Sequence, residues 1–355
     1  MKTAFIAYTP FHLLNVLSYV YTYGIKDADL YAICMFKPYE DMMERIKKLG
    51  LFSNVYVADV NHLQKNEKLW TLIGMPNPQG YVKHLFVESG VKSKNYTDIY
   101  FSYPTRFIDV FISIYKNAHV YAYDDGLGSY IGDVFKESLG SKYEFVQSIF
   151  GVKHRYPECI YLNNAEFSIA SRDCPTKPLK DRELTAEERL NINSVFGFSE
   201  TDDYAKYRYI YLNRPHSDAK DVEVYKSDEC KILNELPSNQ TIIRLHPRET
   251  NLSFYDGFAF DENKGWELLC MNCLSDSNVL ISGYSTAQFT PKMFYDKEPY
   301  VIFIYKLISD LVVNSEMERM IDRLKESYRN PDKIMIPQNH DELKMMISKL
   351  GTVNE

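Results

Sequence analysis

The sequence predicts an α/β protein of two Rossmann-like, doubly wound domains facing a cleft. Three observations predict it. At roughly 100–200 residues per domain, a chain of 355 residues makes two domains. Short apolar runs rich in Tyr, Ile and Val alternate with helical patterns along the chain, the mark of βαβ units and parallel sheets. A mostly polar stretch at 165–188, holding Pro175 and Pro178, falls near the middle and suits a linker.

The strand runs of the first half are 2–8, 29–36, 54–60, 98–103 and 118–123; those of the second are 207–212, 241–245, 278–282 and 299–304. After the first run Thr9 can cap a helix, Pro10 suits its first position and Gly24 closes it. Thr185 with Glu188 forms a capping box, and further caps are expected at Ser315 with Glu318 and at Asn339 with Glu342. The domains are expected at 1–195 and 205–335. The last helix, within 336–355, is expected to pack back on the first domain.

Composition excludes several classes. Lys+Arg 41 against Asp+Glu 48 gives a net charge of −7, which argues against a broad nucleic-acid surface. The 29 Tyr and 20 Phe argue against disorder. Six cysteines scattered over the chain are no disulfide framework and suit a reducing compartment. Cys270 and Cys273 make a lone CxxC inside a buried-helix pattern, so zinc or redox chemistry is set aside. The apolar start after Lys2 is broken by Pro10, His12, Asn15 and Ser18, unlike a signal peptide. No run reaches the roughly 18 apolar residues of a membrane span. The expected setting is the cytoplasm, with any membrane contact peripheral.

In doubly wound sheets ligands bind beyond the carboxyl ends of the strands. Three segments fall there. Asp124-Asp125-Gly126-Leu127-Gly128 leaves the 118–123 run; adjacent carboxylates can supply a general base, and Asp-Gly is equally a strong turn signal. If the exit is extended, the two side chains point to opposite sides, so one faces substrate and the other anchors the loop. Arg244-Leu245-His246-Pro247-Arg248 follows: Pro247 holds His246 extended, and the flanking arginines favour an anion. The third, Ser282-Gly283-Tyr284-Ser285-Thr286, enters a helix whose free N–H groups suit a phosphate; the plain alternative is an N-cap. Weaker candidates are His216 and Asp218, in what reads first as a polar loop, and Glu267. That residue suits a ribose diol or simply the first turn of a helix.

These three segments, in this order, resemble the bacterial sialyltransferases of the two-domain GT-B type. The resemblance is strongest to the lipooligosaccharide and capsule enzymes of glycosyltransferase family fifty-two. That family and the related polysialyltransferases carry acidic-acidic-Gly, His-Pro and Ser-Ser/Thr motifs, which here read Asp124-Asp125-Gly126, His246-Pro247 and Ser285-Thr286. The start Thr9-Pro10-Phe11-His12 is similar too. The resemblance implies inverting transfer of sialic acid from CMP-sialic acid to a galactose-type glycan acceptor, with no cofactor and no metal. It implies a base at Asp124 or Asp125, with Asp218 as the other candidate. His246, Pro247, Arg244, Ser285, Thr286 and Glu267 would attend CMP, and Thr9, His12, Gly126 and His216 the acceptor. Two other functions compete. A CDP-polyol transferase of wall-polymer synthesis would share the second-domain pair but not need the acidic motif. A non-catalytic nucleotide-binding partner in polysaccharide assembly would not need all three.

Overall fold

The apolar runs form the strands of two all-parallel sheets, each within its own unit of the chain. The computed structural model describes residues 2–60, 72–87, 90–91, 95–136, 140–199, 204–246, 248–261 and 265–351. Contacts divide it into Met1–Ser199 and Glu200–Glu355.

In the first unit the strands are β1 (Thr3–Ala7), β2 (Ala28–Cys34), β3 (Asn54–Asp59), β4 (Asp98–Phe101), β5 (His119–Tyr123), β6 (Ile160–Leu162) and β7 (Thr176–Pro178). They lie in the order β3-β2-β1-β4-β5-β6-β7. β1 and β2 are buried at every residue, as continuous apolar runs in a parallel sheet covered on both faces should be. The second unit has β8 (Tyr209–Leu212), β9 (Thr241–Arg244), β10 (Ala259–Asp261), β11 (Val279–Ser282), β12 (Tyr300–Phe303) and β13 (Ile334–Met335), ordered β10-β9-β8-β11-β12-β13. Strand order reverses between β1 and β4 and between β8 and β11. Each reversal leaves a crevice above the carboxyl ends of those strands.

The first helix, Pro10–Tyr23, starts and stops as its sequence directs. The Thr9 hydroxyl accepts from the His12 N–H at 3.2 Å, and Gly24 takes a positive φ of 64° that closes the helix. Two expectations are corrected. The stretch 165–188 is not a free linker, because β7 lies within it and pairs with β6 as the edge of the first sheet. Its prolines are tolerated there because an edge strand has one unpaired side. The last helix, His340–Gly351, packs on its own unit. Leu343, Ile347 and Leu350 form one helical stripe and join Tyr209 and Ile302 in the core of the second sheet. The Tyr209 hydroxyl also donates to the Ile347 carbonyl at 3.1 Å. A smaller correction concerns the helix Ser315–Ser327. Its cap is Asn314, whose side chain accepts from the Met317 N–H at 2.8 Å. Among the described residues no helix is long and apolar enough to cross a membrane.

The capping box is formed reciprocally: Thr185 Oγ1 accepts from the Glu188 N–H and Glu188 Oε2 accepts from the Thr185 N–H. Thr185→Ala should cost about 1 kcal/mol in urea denaturation. The Arg182 guanidinium hydrogen-bonded to Glu188 holds that carboxyl down at about 2. Its contribution is therefore fully present above the unfolded value of about 4.3 and is lost as pH falls towards 2. Glu188→Gln should flatten that part of the stability curve.

Candidate active site

At the exit of β5 the two adjacent carboxylates part company. Asp124 has no exposed surface. Its Oδ1 accepts from the Gly126 N–H at 2.8 Å, and its Oδ2 accepts from the Tyr130 hydroxyl, the Asn163 N–H and the Asn163 side-chain amide. Burial pushes this carboxyl up, and those donors pull it part of the way back. Gly126 takes a φ of 107°, a conformation that disfavours any side chain, so the N–H can turn back on Asp124. The Asp124 carbonyl accepts from Asn15 on the first helix at 2.9 Å. Every polar group of Asp124 thus has a protein partner, and the residue is an anchor.

Asp125 points elsewhere. Its side chain remains 31% exposed, and Oδ1 meets Nε2 of His12 at 2.6 Å. His12 itself is buried. The Tyr8 N–H donates to its Nδ1 at 3.3 Å, which makes Nδ1 an acceptor and puts the ring proton on Nε2, directed at Asp125. The Ser102 hydroxyl lies 3.3 Å from the same Nδ1. His12 follows β1, Ser102 follows β4 and Asp125 follows β5, so the group sits at the crevice where strand order reverses. The Thr9 hydroxyl caps the helix that carries His12.

The second unit places His246 two residues beyond β9. Its N–H donates to the Asn213 side chain, and its Nδ1 accepts from the Arg248 N–H at 3.2 Å. That again leaves the ring proton on Nε2. Burial, then the nearby Arg248 charge, lowers its pKa below the usual histidine value, so the ring is neutral at pH 7. Pro247 lies outside the described residues. The two arginines are engaged with carboxylates. Arg248 makes a two-point ion pair with Asp218 at 2.7 and 2.8 Å, and Arg244 lies 3.3 Å from Asp261. Asp218 therefore has both oxygens occupied.

Behind this loop lies a buried polar cluster. Glu229 is fully buried and accepts from the Tyr211 hydroxyl at 2.9 Å; its other oxygen meets His216 Nε2 at 2.7 Å. Glu249 accepts from the His216 N–H, and Asn213 donates to the Tyr255 hydroxyl at 3.0 Å. His216 is thus a core residue of this cluster, and Asn213 joins the cluster to the backbone of His246.

The Ser285-Thr286 segment leaves β11 at the second crevice. Here the sequence expectation of a helix start is modified. Ser285 caps a single 3-10 turn, Thr286–Gln288, followed by the short helix Thr290–Tyr295. The Ser285 hydroxyl accepts from the Ala287 N–H, and its own N–H is taken by Gln288. Thr286 is exposed. Glu267 lies in the first turn of the helix Trp266–Asn272, and the Trp266 indole donates to the Ala287 carbonyl at 2.8 Å, tying the two segments together. Burial raises the Glu267 carboxyl above its usual range, with Arg244 opposing.

Sequence reasoning missed Asn15, Asn163 and Tyr130, the donors that immobilise Asp124, and Asn213, Glu229 and Glu249 behind His246. Asn15 had a signal, as a polar residue one turn from His12 on a mostly apolar helix. Asn163 had none, since it meets Asp124 only through the pairing of β5 with β6. Among the described residues no three His, Cys, Asp or Glu side chains gather to hold a metal ion.

No family model and no curated protein matches this sequence. Solved structures do. Spinosyn forosaminyltransferase SpnP matches with a TM-score of 0.54 at 10% identity, over 99% of this chain and 90% of that one. Spinosyn rhamnosyltransferase SpnG matches at 0.48 and 11% identity, over 99% and 91%. A UDP-GlcNAc 2-epimerase from Neisseria meningitidis bound to UDP-GlcNAc matches at 0.43 and 11%, over 99% of both. At these identities the likeness establishes the fold: two parallel-sheet α/β domains of the GT-B class.

The division of labour at β5 predicts unequal losses of stability. Asp124→Asn sets an amide among four donors and should cost roughly 2–3 kcal/mol in urea denaturation. Asp125→Asn should cost about 1 kcal/mol or less, because its side chain is partly solvated.

Proposed function

We propose that this chain is an inverting sialyltransferase that moves sialic acid from CMP-sialic acid to a sugar hydroxyl without a metal ion. The observation that carries this reading is the pair at the β5 exit, a buried anchor beside a partly exposed carboxylate oriented by a buried histidine. Asp125 takes the acceptor proton as the acceptor oxygen bonds to the anomeric carbon, and His12 fixes the carboxylate through the Nε2–H donated to Oδ1. Asp218 is the less suited base, because Arg248 occupies both of its oxygens.

The donor side rests on the second unit. His246 presents Nε2–H, and Thr286 is exposed beside the Ser285 cap. As the bond from sugar to phosphate breaks, negative charge grows on the CMP phosphate, and a donor at Nε2 stabilises it most in the transition state. Being neutral, His246 donates a hydrogen bond to the phosphate across neutral pH. CDP-polyol transfer ranks lower because such enzymes share the second-unit segments and would not need the Asp-Asp-Gly motif at the β5 exit. Spinosyn forosaminyltransferase, by its name a sugar transferase, has the same fold.

The test is a donor screen with CMP-sialic acid, CDP-polyols and UDP- and TDP-sugars, each with and without chelator. CMP-sialic acid should be consumed, at a rate chelator leaves unchanged. Turnover of a CDP-polyol alone, or activity abolished by chelator and restored by manganese, would overturn the assignment. In the same assay His246→Ala should lower kcat by roughly a hundredfold; unchanged turnover would remove the residue from the mechanism.

A further inference from the structure

The helix Ser141–Phe150 of the first unit is built inside out. The residues it buries are Tyr143 and Gln147, both hydrogen-bonded at their polar tips: Tyr143 donates to the Arg106 carbonyl at 3.2 Å and Gln147 to Asp109 at 2.7 Å. The residues it leaves to solvent include its largest apolar ones. Phe145 is 67% exposed, Ile149 62% and Phe150 45%. Positions 145 and 149 are one turn apart, so Phe145 and Ile149 share an outward face, and Phe150 is exposed at the end of the helix. A helix packed on a globular core normally shows the opposite pattern.

The surroundings extend the feature. A cavity of about 470 Å³ opens beside the helix, lined by Leu72, Val146, Tyr143, Arg106 and Lys142. Leu72 and Ile73 are themselves exposed. Lys142 near the start of the helix and Lys153 beyond its end are exposed, against Glu144, and Arg106 lines the cavity; Arg155, which follows, lies 4.0 Å from Glu158.

We propose that this face docks on an anionic lipid surface. Phe145, Ile149 and Phe150 enter the headgroup boundary, while Lys142 and Lys153 meet lipid phosphates. The combination of aromatic and aliphatic side chains with flanking lysines is the chemistry of interfacial helices. A second copy of the chain suits the face less well. A two-fold interface through this face would set the lysines of one copy against those of the other. Three side chains also fall well short of the roughly 20–30 residues a side of a stable interface. The proposal is independent of the reaction assigned above.

Vesicle flotation tests it, with phosphatidylcholine alone and with phosphatidylglycerol mixed in. The full chain should float with the anionic vesicles, less so at high salt, and little with the neutral ones. The triple variant Phe145→Ser, Ile149→Ser, Phe150→Ser should bind roughly tenfold or more weakly. It should melt like the wild type, since the replaced side chains are exposed. Lys142→Glu with Lys153→Glu should lose the preference for anionic vesicles. Failure of the wild type to float, or equal binding by the triple variant, would overturn the proposal. A dimer in sedimentation velocity that the triple variant dissolves, with no vesicle binding, would reassign the face to contact between copies.

Discussion

A carboxylate sealed from water at the end of a parallel strand governs the first unit. Desolvating Asp124 is costly, and only a full set of donors offsets that cost. Those donors come from the following loop (Gly126 and Tyr130) and from the end of the neighbouring strand (Asn163). Asn15 holds the carbonyl of the same residue from the first helix. Satisfying one buried charge thereby locks the loop after β5 to the end of β6 and to the first helix. The next residue has no freedom left except to turn away, and Asp125 becomes the exposed partner of His12.

The second unit solves a similar problem with different residues. Glu229 is buried on a helix, not at a strand exit, and Tyr211 and His216 close on it from the first strand of that sheet and the loop after it. Through Tyr255 and Asn213 the cluster reaches the backbone of His246. In both units a buried, fully partnered acid lies one step behind the residue offered to solvent. A buried polar network of this kind fixes geometry better than it adds stability, because breaking one member strands the others. Rigid support of that sort is what a proton acceptor and a phosphate donor group require.

Much of this was legible in the sequence, for identifiable reasons. The long strands read as strands because parallel sheets bury both faces and leave continuous apolar runs. The first helix was bounded by Thr9, Pro10 and Gly24, each acting through local backbone chemistry. The short edge strands β7, β10 and β13 were not legible, since two or three half-exposed residues carry no periodicity. The candidate site followed the same rule. Asp124, Asp125 and His246 stood out because chemistry-bearing residues directly followed apolar runs. Which carboxylate anchors and which faces outward could not be read, because the deciding partner, Asn163, arrives through strand pairing across 39 residues. His216 looked like a surface histidine because Glu229 and Glu249 close around it only in the fold.

The central claim is that Asp125 acts on substrate and Asp124 acts on the protein. The most direct measurement is the single-turnover transfer rate from CMP-sialic acid in Asp125→Asn and in Asp218→Asn, with CMP affinity determined for each. The account predicts that Asp125→Asn binds CMP like the wild type and transfers at least roughly a hundredfold more slowly, while Asp218→Asn retains most of its rate. Transfer preserved in Asp125→Asn and abolished in Asp218→Asn would place the base in the second unit and contradict it.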